Sequence, residues 1–312
     1  MKIVIIGPTL LTRKCVEALI RRGENIFAIY TLDDSMAWEK SRFAIMDDIA
    51  EKHGIKLFKV KDINSAEVIS QLRNIQPDVI FELGWSQIIS KDMLGIPRKG
   101  CIGVHASLLP KNRGAASLNW ALIRGDKKTG VTLFYLEEKP DDGDIIAQKE
   151  FDVDDRDDIS TLHAKSDIAS AELLIENIDA IRNDTVKRLK QNLAETSTTQ
   201  RRRPEDGVIK WDSTAKELYN WVRAQTHPFP GAFTFWKGKR FYIWQSEISD
   251  GAYDAKTGQA GEVLKIEHKK GILVKACEGA ILVKRAQLAD GAEMWADDLA
   301  QKHGIRNGDV LG

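Results

Sequence analysis

The first hundred residues alternate short β-branched runs with segments of helical periodicity. That alternation restricts the chain to a sheet of mostly parallel strands covered by helices. Ile3, Val4, Ile5 and Ile6 form an apolar run with no polar break, as expected of a strand buried on both faces. Gly7-Pro8-Thr9 ends that run, and Leu11, Cys15, Ala18 and Leu19 follow at helical spacing until Gly23. The same reading predicts strands at 26–30, 56–60, 78–83 and 102–105, with helices at 38–53 and 65–74. Ligands of such sheets lie beyond the carboxyl ends of the strands. His105 stands at that point, where a strand gives way to a loop.

The pattern changes after Thr129. Residues 131–135 and 145–152 read as strands, separated by the turn-rich Pro140-Asp141-Asp142-Gly143, and a helix is expected over 160–181. Residues 190–207 are polar and charged and read as a linker. Beyond it come one helix (214–223) and short strand-like runs at 233–236, 241–244, 261–266, 271–276 and 280–288. Short strands with glycine-rich turns indicate a small β-barrel. The 312 residues therefore divide into an α/β domain with its linker (1–206) and a smaller C-terminal β-barrel domain (207–312).

Composition excludes several classes. A hydrophobic fraction of 43% is too high for a disordered chain. The 46 basic and 46 acidic side chains cancel, so no long-range field draws the chain to nucleic acid or to an anionic membrane. Cys15, Cys101 and Cys277 are far apart and odd in number, which argues against a disulfide framework or a zinc site. The six histidines show no ligand spacing, so no metal is expected. No stretch is apolar and long enough to span a bilayer, and the cytoplasm is the expected compartment. Dinucleotide, P-loop, nucleophile-elbow and zinc-protease motifs are all missing.

Two stretches carry chemistry. The first is Gly103-Val104-His105-Ala106-Ser107-Leu108-Leu109-Pro110-Lys111-Asn112-Arg113-Gly114. The second is Thr129-Gly130-Val131-Thr132-Leu133, followed by Lys139-Pro140-Asp141-Asp142-Gly143-Asp144. Taken alone, the first reads as a core histidine before a loop and the second as a solvated acidic turn. Together they resemble the formyltransferases that use 10-formyltetrahydrofolate. That family carries N-x-H-x-S-L-L-P, a following R-G, then T-G-V-T and D-x-G-D. The present residues match at His105, Ser107, Leu108, Leu109, Pro110, Arg113, Gly114, Thr129, Gly130, Val131, Thr132, Asp141 and Gly143. Thr161-Leu162-His163, Ile209-Lys210-Trp211 and Pro228-Phe229-Pro230-Gly231-Ala232 extend the resemblance along nearly the whole chain.

The resemblance implies a Rossmann-like catalytic domain followed by an OB-like barrel, with 10-formyltetrahydrofolate as co-substrate. By analogy His105 stabilises the oxyanion formed when an amine attacks the formyl carbon, and Asp141 holds the proton balance. The sequence departs from the family at Gly103, where an asparagine usually supplies a second donor. Losing such a donor costs about 10²–10³ in rate. Asn112, Asn119 or a water could take its place. The alternatives are a slow enzyme, a hydrolase of the folate, or a folate-binding relative without catalysis.

The folate is expected against Gly84-Trp85-Ser86-Gln87-Ile88 and against residues 136–140, with Leu136 and Pro140 in contact. The segment Asp33-Asp34-Ser35-Met36-Ala37-Trp38-Glu39-Lys40, with Arg42 and Phe43 after it, is compact and mixed in charge. That favours a small amine over a tRNA acceptor stem. The resemblance is closest to sugar-nucleotide N-formyltransferases of the UDP-4-amino-4-deoxy-L-arabinose type, and the family also includes methionyl-tRNA formyltransferase. A nucleotide-linked amino sugar is therefore the expected acceptor, with methionyl-tRNA as the alternative. Ser107 belongs to the expected substrate site. Arg113 and Arg202, or Arg203, would meet a diphosphate, since arginine forks suit phosphate geometry. No membrane partner is expected, and a homodimer is left open.

Overall fold

The computed structural model describes residues 1–39, 41–249 and 258–312. The chain forms two compact units. The first comprises Met1–Ser117, Lys128–Asp152 and His163–Gln200, and the second Leu118–Lys127, Val153–Leu162 and Arg201–Gly312.

The first unit is built on a seven-stranded sheet. In chain order its elements are β1 (Ile3–Ile6), α1 (Leu10–Arg21), β2 (Ile26–Leu32), α2 (Asp47–His53), β3 (Lys56–Val60), α3 (Ala66–Ile75), β4 (Val79–Glu82), α4 (Lys91–Leu94) and β5 (Cys101–His105). There follow β6 (Arg113–Gly114), α5 (Ser117–Arg124), which falls in the second unit from Leu118 on, β7 (Lys128–Tyr135), β8 (Ile145–Asp152), α6 (Ile159–Arg182), which belongs to the first unit from His163 on, and β9 (Thr198–Thr199). Strand order is β3-β2-β1-β4-β5-β7-β8. The first five strands pair in parallel, whereas β7 runs antiparallel to β5 and β8 antiparallel to β7.

Strand alternation divides the core. Ile3, Ile5, Ile29 and Phe81 belong to one apolar cluster, and Val4, Ile6, Tyr30 and Ile80 to another. The sheet is thus covered on both faces, which is why its central strands read as unbroken apolar runs.

The helix expected at 38–53 forms only over Asp47–His53. Asp34–Glu39 makes a 3₁₀ turn instead, and Lys40 lies outside the described residues. Backbone competition explains the difference. Leu10 N donates to Arg42 O, Ala44 N donates to Pro8 O, and Phe43 bridges to Thr9, which holds 42–44 extended against the start of α1. Trp38 is left 82% exposed. The Arg42 guanidinium turns inward, donating to His163 Nδ1 at 2.9 Å and pairing with buried Asp167.

The second unit contains α7 (Ala215–Arg223), β10 (Ala232–Trp236), β11 (Lys239–Ile248), β12 (Val263–Glu267), β13 (Gly271–Lys275), β14 (Ala280–Leu288), β15 (Met294–Trp295) and α8 (Ala296–His303). Its antiparallel sheet has the order β10-β11-β14-β13-β12, with β15 on β14. The last residues fill the gap between the end strands. Val263 N donates to Asp309 O, Leu311 N to Gly261 O, and Gly312 N to Phe235 O. Phe241, Ile243, Ile272, Val274 and Ile281 are fully buried inside, with Trp236 beside them. At the start of α7, Thr214 and Glu217 form a reciprocal capping box.

Buried His163 makes the first unit sensitive to acid. Burial, and secondarily the Arg42 charge, hold the His163 pKa down to about 3. The unfolded chain therefore takes up a proton near pH 6.5 that the folded chain refuses, so stability is present above pH 6.5 and is lost as pH falls. Thermal or denaturant unfolding followed just below pH 6.5 should lose up to about 1.4 kcal/mol per pH unit from this group. His163→Gln should flatten that slope, and an unchanged slope would show that another group governs it.

Candidate active site

The site lies at the carboxyl ends of β4 and β5, where the sheet changes from parallel to antiparallel. Pairing of Glu82 with Gly103, and of Gly103 with Phe134, puts these residues and His105 on one face of the sheet. A cavity of about 230 Å³ opens there. Its walls include Trp85, Ser86, Gln87 and Ile88 from the loop after β4, Leu136 and Pro140 from the loop after β7, and both His105 and Asp141.

The two sequence motifs meet through Thr132. Its buried hydroxyl donates to Ser107 O at 2.6 Å and accepts from Leu109 N at 3.0 Å and from Gln148 Nε2 at 2.9 Å. Every donor and acceptor site of that hydroxyl is therefore used. Gln148 Nε2 also reaches Leu109 O at 2.8 Å. Ser107 is 1% exposed, and its hydroxyl donates to Lys111 O at 2.6 Å. Ser107 thus closes the turn after His105 and presents no free hydroxyl to a substrate.

That turn fixes the histidine. His105 Nε2 lies 2.8 Å from the carbonyl oxygen of Asn112, which can only accept, so this nitrogen carries a hydrogen. Nδ1 is the nitrogen left to face the cavity, 3.5 Å from Asp141 Oδ1. Both side chains are mostly buried, at 11% and 17% exposure. The separation suits an ion pair that tightens around a bound group.

Asp141 is held more firmly than its surface-turn sequence implies. It occupies the left-handed region, with φ +55°. Its Oδ2 accepts from Gly114 N at 2.7 Å. Gln191 Nε2 donates to the carbonyls of Asp141 (2.9 Å) and Gly143 (2.8 Å), and Gln191 Oε1 accepts from Arg113 Nε and from a terminal guanidinium nitrogen. Arg113 also donates to Asp142 Oδ1 at 2.7 Å. A Cβ at Gly143 would lie 1.8 Å from Tyr135 O, so only glycine fits the end of this loop.

The first part of the expected linker is therefore a strap on the first unit. Leu189 bridges Ile145, Ser197 O accepts from Arg113 N, Ser197 Oγ accepts from Asn112 N, and β9 pairs with β6. Its polar composition reflects hydrogen bonding to the catalytic loops, which a composition rule cannot tell from solvation.

The arginines expected at a diphosphate are otherwise engaged. Arg113 braces the Asp141 loop. Arg202 lies in the second unit, over the rings of Trp120 and Trp221, and donates to Asp206 O and Gln225 Oε1. Asn119, considered for the missing amide, donates to Ala224 O at 2.7 Å within the second unit. Gly103 has no room left beside it: a Cβ there would stand 2.7 Å from Leu136 Cδ2 and 3.3 Å from Glu82 Oε2.

Two side chains that help to shape the cavity escaped the sequence reading. Gln191 gave no signal, since it acts through contacts 50 residues away in the chain. Glu82 did give one, as the acid that interrupts the apolar run of β4. Its Oε1 accepts from Trp85 N at 2.5 Å. The loop beyond is fixed by Gln87, whose Oε1 accepts from Trp85 Nε1 at 3.1 Å and from Ile63 N at 3.0 Å. Among the described residues no group of three or more histidine, cysteine or acidic side chains is arranged to hold a metal ion, and no helix is long and apolar enough to cross a membrane.

Known proteins resemble this chain in sequence and in fold. Residues 1–178 match the formyl transferase family, and residues 201–304 match the formyl transferase C-terminal domain. The chain is 34% identical over 314 residues to a methionyl-tRNA formyltransferase from Ruminiclostridium cellulolyticum, covering 100% of both proteins. It is 35% identical to the methionyl-tRNA formyltransferase of Halothermothrix orenii, over 93% of each. Among solved structures, HypX from Aquifex aeolicus in complex with tetrahydrofolic acid superposes with a TM-score of 0.70 at 15% identity, covering 100% of this chain and 50% of that one. WlaRD, a sugar 3N-formyl transferase, superposes with a TM-score of 0.65 at 19% identity, covering 94% of this chain and 99% of that one. These two likenesses concern the fold, whereas the family matches concern the sequence of both parts of the chain. The protein belongs to the formyltransferase family of enzymes.

Proposed function

We propose that the protein moves the formyl group of 10-formyltetrahydrofolate onto a primary amine at His105 and Asp141. The observation that carries this reading is the cavity in which both side chains meet the loops after β4 and β7. Its walls fit a flat ring system: Ile89, Val104, Phe134 and Leu136 are apolar, and backbone of the loop 84–88 supplies polar groups at the edge. Trp85 and Gln87 keep that loop in place, so their contribution is preorganisation.

The chemistry follows from the acid–base pair. The incoming amine must be neutral to attack, and Asp141 accepts its surplus proton directly or through His105 Nδ1. Once protonated, His105 donates from Nδ1 to the oxygen that gains charge, while Nε2 stays anchored on Asn112 O. The Arg113–Gln191 brace keeps the Asp141 carboxylate where it can serve both partners.

For the acceptor, the end-to-end likeness to methionyl-tRNA formyltransferases favours the amino group of a methionyl-tRNA. A nucleotide-linked amino sugar is the second reading, favoured by the short segment after β2. There the inward-turned Arg42 is spent on Asp167 and offers little charge to a nucleic acid. A second opening of about 490 Å³ shares Gly114, Lys139, Pro140 and Asp141 with the first and is bordered by Thr196, Thr198 and Thr199. It offers either acceptor a route to Asp141 that does not pass the loop 84–88.

Mass spectrometry of reactions containing 10-formyltetrahydrofolate, initiator methionyl-tRNA and a panel of UDP-, dTDP- and GDP-linked amino sugars decides the acceptor. One added formyl group on the tRNA supports the first reading, and on a sugar nucleotide the second. Transfer to neither overturns the proposal. With the acceptor known, His105→Ala and Asp141→Asn should each reduce kcat about 10²–10⁴-fold, and near-normal turnover in both would remove the pair from the chemistry. Gln191→Ala should lower kcat by about tenfold or more with little change in KM for the folate, because it displaces Asp141 without touching the folate walls. A rise in KM alone would place Gln191 in binding.

A further inference from the structure

The strap between Lys190 and Gln200 is polar except for one large apolar side chain, Leu193, and that side chain is 68% exposed. The strap is anchored on either side of it. Gln191 is fixed to the Asp141 loop, and Ser197 to Arg113 and Asn112. Between these anchors residues 192–196 make a turn that closes on itself. Asn192 Oδ1 accepts from Ala194 N at 3.2 Å, Asn192 Nδ2 donates to Glu195 Oε1 at 2.9 Å, and Thr196 N donates to Leu193 O at 3.3 Å. Single exposed leucines on a protein surface need no explanation. This one borders the second opening, which leads to Asp141.

That opening continues the reaction site, since Gly114, Pro140 and Asp141 line both it and the cavity that holds His105. Most polar groups along it are already used. Asp141 Oδ2 accepts from Gly114 N, Arg113 is spent on Asp142 and Gln191, and the Thr199 hydroxyl donates to Arg113 O at 3.2 Å. Among the charged side chains of this wall, exposed Lys139 is the one left over. The remaining wall, Leu193 and Pro140 with threonines 196, 198 and 199, suits an uncharged chain better than a diphosphate.

An amine that attacks the formyl carbon must stand beside Asp141, and the groups on its carbon must go where there is room. We propose that this opening is the side-chain subsite of the acceptor. It takes a flexible apolar chain borne by the carbon next to the reacting amine, and Leu193 is the residue that selects for that chain. The acceptor class that fits is an α-aminoacyl group with a long apolar side chain, the first of the two acceptors above, rather than a hydroxylated sugar ring. This rests on the formyl-transfer reading.

The test measures kcat/KM of the full-length protein, Leu193→Ala and Leu193→Met with 10-formyltetrahydrofolate and one initiator tRNA charged in turn with methionine, norleucine, alanine or glutamate. The sugar-nucleotide panel runs alongside. The unaltered protein should prefer methionyl and norleucyl over alanyl and glutamyl acceptors by at least about tenfold, the discrimination an apolar pocket gives. Leu193→Ala should lose about tenfold on the two long apolar side chains, with the alanyl rate and the folate KM little changed. Leu193→Met, which keeps length and apolar character, should keep the preference. A loss in Leu193→Ala that is equal for all four acceptors overturns the assignment, because the leucine would then only support the strap and through it Asp141. No preference in the unaltered protein overturns it as well. Transfer to a sugar nucleotide and to none of the charged tRNAs overturns this inference and leaves formyl transfer standing, whereas transfer to nothing overturns both.

Discussion

The hydroxyl of Thr132 joins what the rest of the site depends on. One buried oxygen binds Ser107 O, Leu109 N and Gln148 Nε2, and so ties the loop after β5 to the strand that pairs with it. The loop then offers the Asn112 carbonyl to His105, and the next loop brings Asp141 to the other ring nitrogen. Both motifs are thus primarily devices for shaping backbone. The polar groups of Thr132, Ser107 and Arg113 are spent on protein partners, and the order of the motifs in the sequence records which strand end each loop leaves.

This explains why the site was more legible than its individual residues. The alternation of apolar runs and helical periods implied a mostly parallel sheet, and His105 stands at the carboxyl end of one of its strands, as that alternation suggested. The partners of Ser107 and Arg113 were not legible: the Ser107 hydroxyl donates to Lys111 O, and the Arg113 fork binds oxygens of Asp142 and Gln191.

What stayed hidden shares one physical cause. Periodicity reports local burial, whereas the segment 42–44 and the strap 189–200 are shaped by partners far away in sequence. Phe43 is held extended by the start of α1, which overrides the helical pattern around it.

The strap has a consequence for how the enzyme is made. The sheet strands and both His105 and Asp141 have been synthesised well before residue 191 leaves the ribosome. The carbonyls of Asp141 and Gly143 nonetheless wait for Gln191, and Arg113 N waits for Ser197. A nascent chain that has completed its seven-stranded sheet therefore still lacks the brace on the loop that carries Asp141. The geometry around His105 and Asp141 is completed last within its own unit, by the stretch of chain that leads into the second one.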